Sequence, residues 1–515
     1  EYVGLTSGRT TYGHRLIAPQ AIEVASAEGF NSALTKAWVV ASPEMRAAQI
    51  RAQIKTIEEK SGLVAYVPED TFAEVVNLVE FPTALVGTFD EGFLAVPPEI
   101  ITDAMLKHQR YFPLYSAEGV LSNQFIIVSN GSPAHNSVII DGNERVVRPR
   151  LSDAAFFYHE DLKQPLGSSV KQLQQVVFHE KLGTVYNKVQ RIEKLAGDIA
   201  TFAQGTEEQI EDTLRAALLC KADLVSHAVI EFPSLQGVMG RYYAIASGEN
   251  PAVALAVGEH YKPRFASDNV PSGFEGCCVA LADKMDTICG IFAVKQGPTG
   301  SSDPFALRRA AIGSINILLS GLSVSLEAVI FAALANYKDI PFEKKEITQA
   351  VRNFFKTRLE VIARDRGYSA DTVAAVMATD VLEPVDVLAR CEALAKARSN
   401  APERFEDLAI AYTRANNLRD EELGVSVDKA LLGAPELALN QAIDNVQQGV
   451  KDALSRGQYP HALEFLASLR GPIDEFFDAV MIMDSDEALR NNRLKLLNRF
   501  VTVFKDVADF GKLAG

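Results

Sequence analysis

The sharpest local chemistry lies between Leu281 and Leu318, where two apolar runs are joined by a loop holding Gly297, Pro298, Gly300, Ser301 and Ser302. Asp283 and Asp286 stand three apart in the first run, which puts both carboxylates on one helix face. Asp303 and Pro304 have the order of an N-cap and a first helical residue, with Arg308 and Arg309 in the next turn. A glycine-rich loop entering a helix beside two guanidiniums suits a bound phosphate. The same residues also make a plain capped helix with two surface arginines, and spacing alone does not separate the two. A second, more scattered set is His179, Asp223 with His227 a turn later, and Asp283. One imidazole and two carboxylates on neighbouring helices suit a divalent cation, yet each is also an ordinary hydrogen-bonded group of a helical core.

Cations recur in three further strings. IITDAMLKHQRYFPLY mixes Lys107, His108 and Arg110 with Tyr111, Phe112 and Tyr115, as an RNA surface does, or as a helix end with a solvated rim does. GNERVVRPRLSDAAFFYHEDLKQPL holds Arg145, Arg148 and Arg150, a phosphate clamp or a set of partners for Glu144, Asp153 and Asp161. Near the C-terminus, Arg490, Arg493, Lys495 and Arg499 run beside Leu489, Leu494, Leu496 and Leu497. That run is either an RNA contact or a solvated helix face.

The elements that must position these groups change along the chain. Up to about Pro165 the texture is α/β: Ser42, Pro43 and Glu44 begin a helix through Lys60 that Gly62 closes, and ALVGTFDEGFLAV and QFIIVSNG read as strands. From about Gly167 helix dominates. Val185, Val189, Ile192, Leu195 and Ile199 recur at helical spacing, and TLRAALLCKADLVSHAVI reads as one buried helix. After Leu319 amphipathic helices continue, with breaks near Asn336 to Phe342 and at SNAPERF.

The totals bound the class. A chain of 515 residues is expected to form about three or four domains. Hydrophobic content of 48% and charged content of 23% are those of a soluble protein, and no apolar run reaches the roughly 18 residues of a membrane span. A net charge of -15 excludes a uniformly basic nucleic-acid coat but leaves room for local basic stripes. Five cysteines without a CxxC point to reduced, buried thiols and no structural disulfide. GxxxxGK[ST], GxGxxG after a strand, HExxH and GxSxG are all missing, so no self-contained ATP site is expected. The chain opens on Glu1 without a signal-like segment and reads as a piece of a longer protein.

The strings LVGTFDEGFLAVPPEI, MLKHQRYFPLY, GNERVVRPRLSDAAFFY, HEKLGTVYNKVQRI, QGVMGRYYA, YKPRFASDNVPS, LADKMDTICGIF, PTGSSDPFALRRAA and FFDAVMIMDSDEALRNNRLKLL occur in that order. Together they resemble the beta subunit of bacterial-type glycyl-tRNA synthetase, heterotetrameric or fused as in plastids, over essentially the whole chain. The family has a further N-terminal portion before TSGRTTYGHRL, so this chain is expected to lack it.

The resemblance implies a mainly α, multidomain fold: residues 1–165 an α/β domain, 166–335 an HD-like helical domain, 336–400 a helical linker or body region, and 401–515 an all-α anticodon-binding domain. It also implies a division of labour. The alpha chain makes glycyl-adenylate from glycine and ATP with Mg, and the beta chain recruits and positions glycine tRNA for aminoacylation. This piece is thus expected to belong to an enzyme, glycine–tRNA ligase, while holding no catalytic residue and no cofactor of its own. Expected partners are glycine tRNA and the alpha subunit or region, in a dimeric assembly of alpha-beta units. The expected compartment is the bacterial cytoplasm or the plastid stroma, with no membrane.

By the same resemblance Arg490, Arg493, Lys495 and Arg499 are expected on the anticodon arm, with Arg414 beside Asn417, and Arg308, Arg309, Arg145 and Arg148 as further tRNA contacts. In HD phosphohydrolases a His, an adjacent His-Asp pair and a distal Asp hold metal. Here His179, Asp223 and Asp283 match, but Ala222 stands where the second His belongs. The expectation is a degenerate site without metal, kept for RNA docking. Two alternatives are an active HD phosphohydrolase on nucleotides, which Ala222 opposes, and a helical interaction scaffold, which the acidic charge favours and the Arg-rich strings oppose.

Overall fold

A computed structural model describes residues 8–513; the Glu1 start and the first two residues of TSGRTTYGHRL lie outside them. The chain is mainly helical and forms two compact units. One holds the chain up to Val177 with Thr184–Tyr186 and Leu218–Gly258, and the other holds Phe178–Gly183, Asn187–Ala217 and the chain from Glu259 onward.

In the first unit the helix Pro43–Ser61 begins where the Ser42 hydroxyl accepts the Met45 amide, and it stops at Gly62, whose φ of 71° closes the last turn. Ile50 and Ile54 from this helix, with Phe72, Val75 and Val76 from the helix Glu69–Leu78, pack on Phe112, Leu114 and Ile126 of a sheet. The first six strands in chain order are β1 (Thr10–Tyr12), β2 (Ala21–Glu23), β3 (Val64–Ala65), β4 (Thr83–Thr88), β5 (Phe112–Tyr115) and β6 (Leu121–Ser129). β1 and β2 pair alone, and the other four form one antiparallel sheet in the order β3-β5-β6-β4. The expected strand ALVGTFDEGFLAV is therefore only half strand. Asp90 accepts the Gly92 amide at 2.8 Å and turns the rest into a 3-10 segment, Glu91–Ala95.

The helix Asn136–Asp161 runs for 26 residues straight through Pro149. Proline usually ends a helix, but here Val147, Leu151 and Ala154 are buried on both sides of Pro149 in sequence and keep the helix continuous. TLRAALLCKADLVSHAVI is not one helix. The helix Glu207–Leu219 ends, a 3-10 turn covers Ala222–Val225, and Ser226 accepts the Val229 amide to cap a new short helix, His227–Glu231.

In the second unit the helix Phe274–Ala293 is almost wholly buried, with Leu307–Leu319, Leu326–Ala335 and Lys344–Asp365 packed around it. The predicted positions Val189, Ile192, Leu195 and Ile199 are fully buried along Val185–Phe202. The last helices are Pro402–Leu418, Ala434–Ser455, Tyr459–Ala467, Arg470–Ala479 and Glu487–Phe504. Leu439, Ile443, Ile473, Phe476, Leu497 and Phe500 fill their core. Tyr412, Phe504 and Phe510 close it, the Phe504 ring lying 5.1 Å from Tyr412 and 4.9 Å from Phe510. Among the described residues no helix is long and apolar enough to cross a membrane.

Candidate nucleic-acid interface

The His and Asp residues that suit a metal are each committed to protein partners. The Lys181 amide donates to His179 Nδ1 at 3.0 Å, which leaves Nε2 to donate to Gln296 Oε1 at 2.8 Å. Asp283 and Asp286 converge on an ammonium. Lys188, its side chain 6% exposed, lies 2.7 Å from Asp283 Oδ1 and 3.2 Å from Asp286 Oδ2, and it also donates to Thr287 Oγ1. Arg191 Nε adds a 2.7 Å bond to Asp286 Oδ1, and the Tyr337 hydroxyl donates to the same oxygen at 2.7 Å. Burial beside Asp286 holds that hydroxyl well above the usual tyrosine range.

Asp223 is fully buried, and its Oδ2 accepts the amides of Gly237 and Gly240 at 2.6 and 3.0 Å. A side chain at Gly240 would strike that carboxylate, and Gly237 takes a φ of 82°, which accounts for both glycines of QGVMGRYYA. Asp223 Oδ1 has no hydrogen-bond partner among the described residues, and burial pushes the carboxyl up to about 6. His227 is drawn elsewhere, its Nδ1 bonded to Asp161 at 2.8 Å. Among the described residues no three His, Cys, Asp or Glu side chains gather as a metal requires. The donor set does not fit a divalent metal, since an internal ammonium already neutralises the two carboxylates of the buried helix.

The loop of the opening motif is likewise self-satisfied. The helix begins at Leu307, four residues after Asp303, because the Asp303 carboxylate takes the Leu307 and Arg308 amides at 2.8 and 2.9 Å. The Arg308 guanidinium donates to the Gly300 carbonyl, and Arg309 is exposed. The anion at this helix start is thus the chain's own carboxylate.

Of the KHQRYFPLY group, Arg110 is paired with Glu74, Tyr111 and Phe112 are buried, and only Lys107 and His108 are exposed, Lys107 with Asp103 as partner. This is a packed helix end with a charged rim. On Asn136–Asp161, Arg145 bridges to Asp141 in an exposed pair. Glu144 is taken by the amide and hydroxyl of Thr88, and Asp161 by His227, Ala228 and Tyr243. Arg148 and Arg150 are exposed and have no ion pair or hydrogen bond among the described residues.

The C-terminal basic run divides by partner. Arg493, 14% exposed, bonds Glu436 and Asp484 at 2.7 Å each, and Arg499 bonds Asn440 and Asp444, so both fasten Glu487–Phe504 to its neighbours. Arg490 donates to the Asp484 carbonyl at 3.2 Å and stays half-buried, as does Lys495. Arg414 is exposed, its guanidinium 4.1 Å over the Phe477 ring. Asn492 and Asn498 went unremarked in the sequence, yet they are buried fasteners too. Asn492 exchanges two bonds with the Asp428 backbone, and Asn498 donates to the carbonyls of Asp420 and Gly424. Met481 and Met483 stand exposed at the start of the same run. Only the position of each polar group relative to the apolar stripe could have marked the asparagines, and the alternation in NNRLKLLNR hides it.

The family model for the glycyl-tRNA synthetase beta subunit matches residues 1–378. The glycine–tRNA ligase beta subunit of Desulforamulus reducens is 42% identical over 518 residues, 100% of this chain and 74% of the relative. That of Chromohalobacter salexigens is 43% identical over 516 residues, 99% of this chain and 74% of its own.

The chain belongs to the glycyl-tRNA synthetase beta subunit family. A second model, the DALR anticodon binding domain, matches residues 408–510 and takes in Arg414, Arg490, Arg493, Lys495 and Arg499. Arg145, Arg148, Arg308, Arg309, His179, Asp223 and Asp283 fall within the first match.

Proposed function

We propose that this chain is the tRNA-binding part of a glycine–tRNA ligase, recruiting glycine tRNA so that its end reaches glycyl-adenylate held by an alpha subunit. The observation that carries this reading is the C-terminal helical domain of the anticodon-binding type, whose Arg414, Arg490 and Lys495 keep contact with solvent. Cations there neutralise phosphates, while Arg493 and Arg499 hold the helix that presents them. In this reading the rate gain at the alpha site is proximity, because the tRNA hydroxyl meets an already activated carbonyl. ATP and Mg are used on the alpha side, the assembly is a dimer of alpha-beta units, and the compartment is the cytoplasm. The middle region is a degenerate HD-like domain in which Lys188 takes the cation's place. Its support is Ala222 beside Asp223 and the ammonium between Asp283 and Asp286.

The test is binding of this chain to a glycine-accepting tRNA and to a non-cognate tRNA across a salt series. The expected result is preference for the cognate tRNA, with Arg490→Gln/Lys495→Gln weakening binding and lowering the salt slope by about two. Equal affinity for both tRNAs, unchanged in that variant, sinks the reading.

A further inference from the structure

The exposed side of the helix Asn136–Asp161 carries more than the arginines that drew attention to it. Residues 145, 148, 152, 156 and 159 recur at steps of three and four, opposite the buried Val147, Leu151 and Ala154, and all five are exposed. They are Arg145, Arg148, Ser152, Phe156 and His159. Phe156 is 58% exposed, a large apolar ring turned to solvent on a helix whose opposite face is packed. Arg148 has no ion pair or hydrogen bond among the described residues, and the carboxylate one turn before it, Glu144, is taken by the Thr88 amide and hydroxyl. Asp153 lies at the edge of the strip. Arg148 and Phe156 are separated by about 12 Å along the axis at a rise of ~1.5 Å per residue.

We propose that this strip binds single-stranded RNA, an unstacked base lying on Phe156 and flanking phosphates meeting Arg148 and Arg145. The inference rests on the tRNA-binding reading and names which kind of RNA segment this face takes. Two cations followed by an open ring are the chemistry of a stacking platform in a basic track. A duplex keeps its bases stacked and offers Phe156 nothing, so it gains only from the arginines. The face of Phe157 against the His227 ring, parallel within 6° at 6.3 Å, braces the turn of helix beneath Phe156. Phe157 also meets Phe156 edge-on, with ring centres 5.9 Å apart. The platform is therefore fixed before RNA arrives, which limits the ordering cost of binding.

The experiment uses the full chain with a fluorescein-labelled single-stranded octamer of uridines, a blunt RNA duplex of the same length, and glycine-accepting tRNA. Phe156→Ala is expected to weaken the octamer about tenfold, Phe156→Tyr to restore it, and neither to change duplex binding or the melting temperature. Arg148→Gln is expected to lower the salt slope for the octamer by about one. Octamer affinity unchanged in Phe156→Ala, or no greater than duplex affinity in the parent chain, overturns the proposal. If tRNA binding falls in Arg490→Gln/Lys495→Gln while every Phe156 variant matches the parent, the strip is wrong and the tRNA reading stands. If the parent chain binds no RNA of any kind, both fall. Amide exchange closes the remaining route: protection of residues 145–159 by an alpha subunit and not by the octamer makes the strip a protein contact and also overturns the proposal.

Discussion

Asp223 concentrates a cost in one atom. Two amides hold its Oδ2, burial leaves Oδ1 bare, and the carboxyl is pushed from 3.8 up to about 6. The folded state therefore binds this proton more tightly than the unfolded chain does. Its contribution is most favourable below the unfolded value, declines as pH rises, and is fully lost above about 6. Asp223→Asn keeps an oxygen for the two amides and removes the charge. Its stability relative to the parent is expected to improve by on the order of 3 kcal/mol between about pH 4 and pH 7, read from denaturation midpoints at each pH. A difference that stays flat with pH rejects this account. Lys188 is the opposite case, a buried charge with partners on three sides. Lys188→Met leaves two carboxylates without that cation and is expected to cost about 3–5 kcal/mol in urea unfolding, and a loss under about 1 kcal/mol would mean the network is incidental. The carboxylates of both sites were legible. The wiring was not, because Lys188 lies some hundred positions before its partners and no local pattern joins them.

The helix Glu487–Phe504 shows how an element sorts its own charges. The sequence reads a basic run, and the fold ties Arg493 and Arg499 to acidic partners while Arg490 bonds only a carbonyl and Lys495 has no ion pair or hydrogen bond among the described residues, all four being half-buried. Arg493→Gln is thus expected to lower the melting temperature of the chain, whereas Arg490→Gln and Lys495→Gln leave it unchanged and act on tRNA affinity alone. Equal thermal effects across the three would undo this division. The helix Pro43–Ser61 is the counterpart, its Ser42 cap and Gly62 stop both legible in the sequence. Ser42→Ala is expected to cost about 1 kcal/mol by loss of the bond to the Met45 amide. Caps are legible because they act within one turn. The split of TLRAALLCKADLVSHAVI and the unbroken run through Pro149 were not, since both depend on what packs from a distance.

For the whole molecule, a net charge of -15 repels RNA at long range while a few cations attract it at short range. Salt screens the repulsion too, so the steepness of binding in salt comes from the counterions released at the short-range contacts. With Arg309, Arg414, Arg490 and Lys495 on phosphates, raising salt from about 50 to 200 mM is expected to weaken tRNA binding roughly 100-fold, from a slope of about -0.9 per contact. A flat response would mean that apolar or base-edge contacts carry the affinity. The family was legible from strings spread along the chain, and the two compact units were not, because each collects segments that are far apart in sequence. The ammonium of Lys188 has one further consequence at this scale. A cation tethered by a peptide chain has no dissociation constant: it cannot be chelated, starved or exchanged for the wrong ion. The two carboxylates of the buried helix Phe274–Ala293 are thereby met by a cation of the chain itself, and a chelator is expected to leave the melting temperature of the chain unchanged.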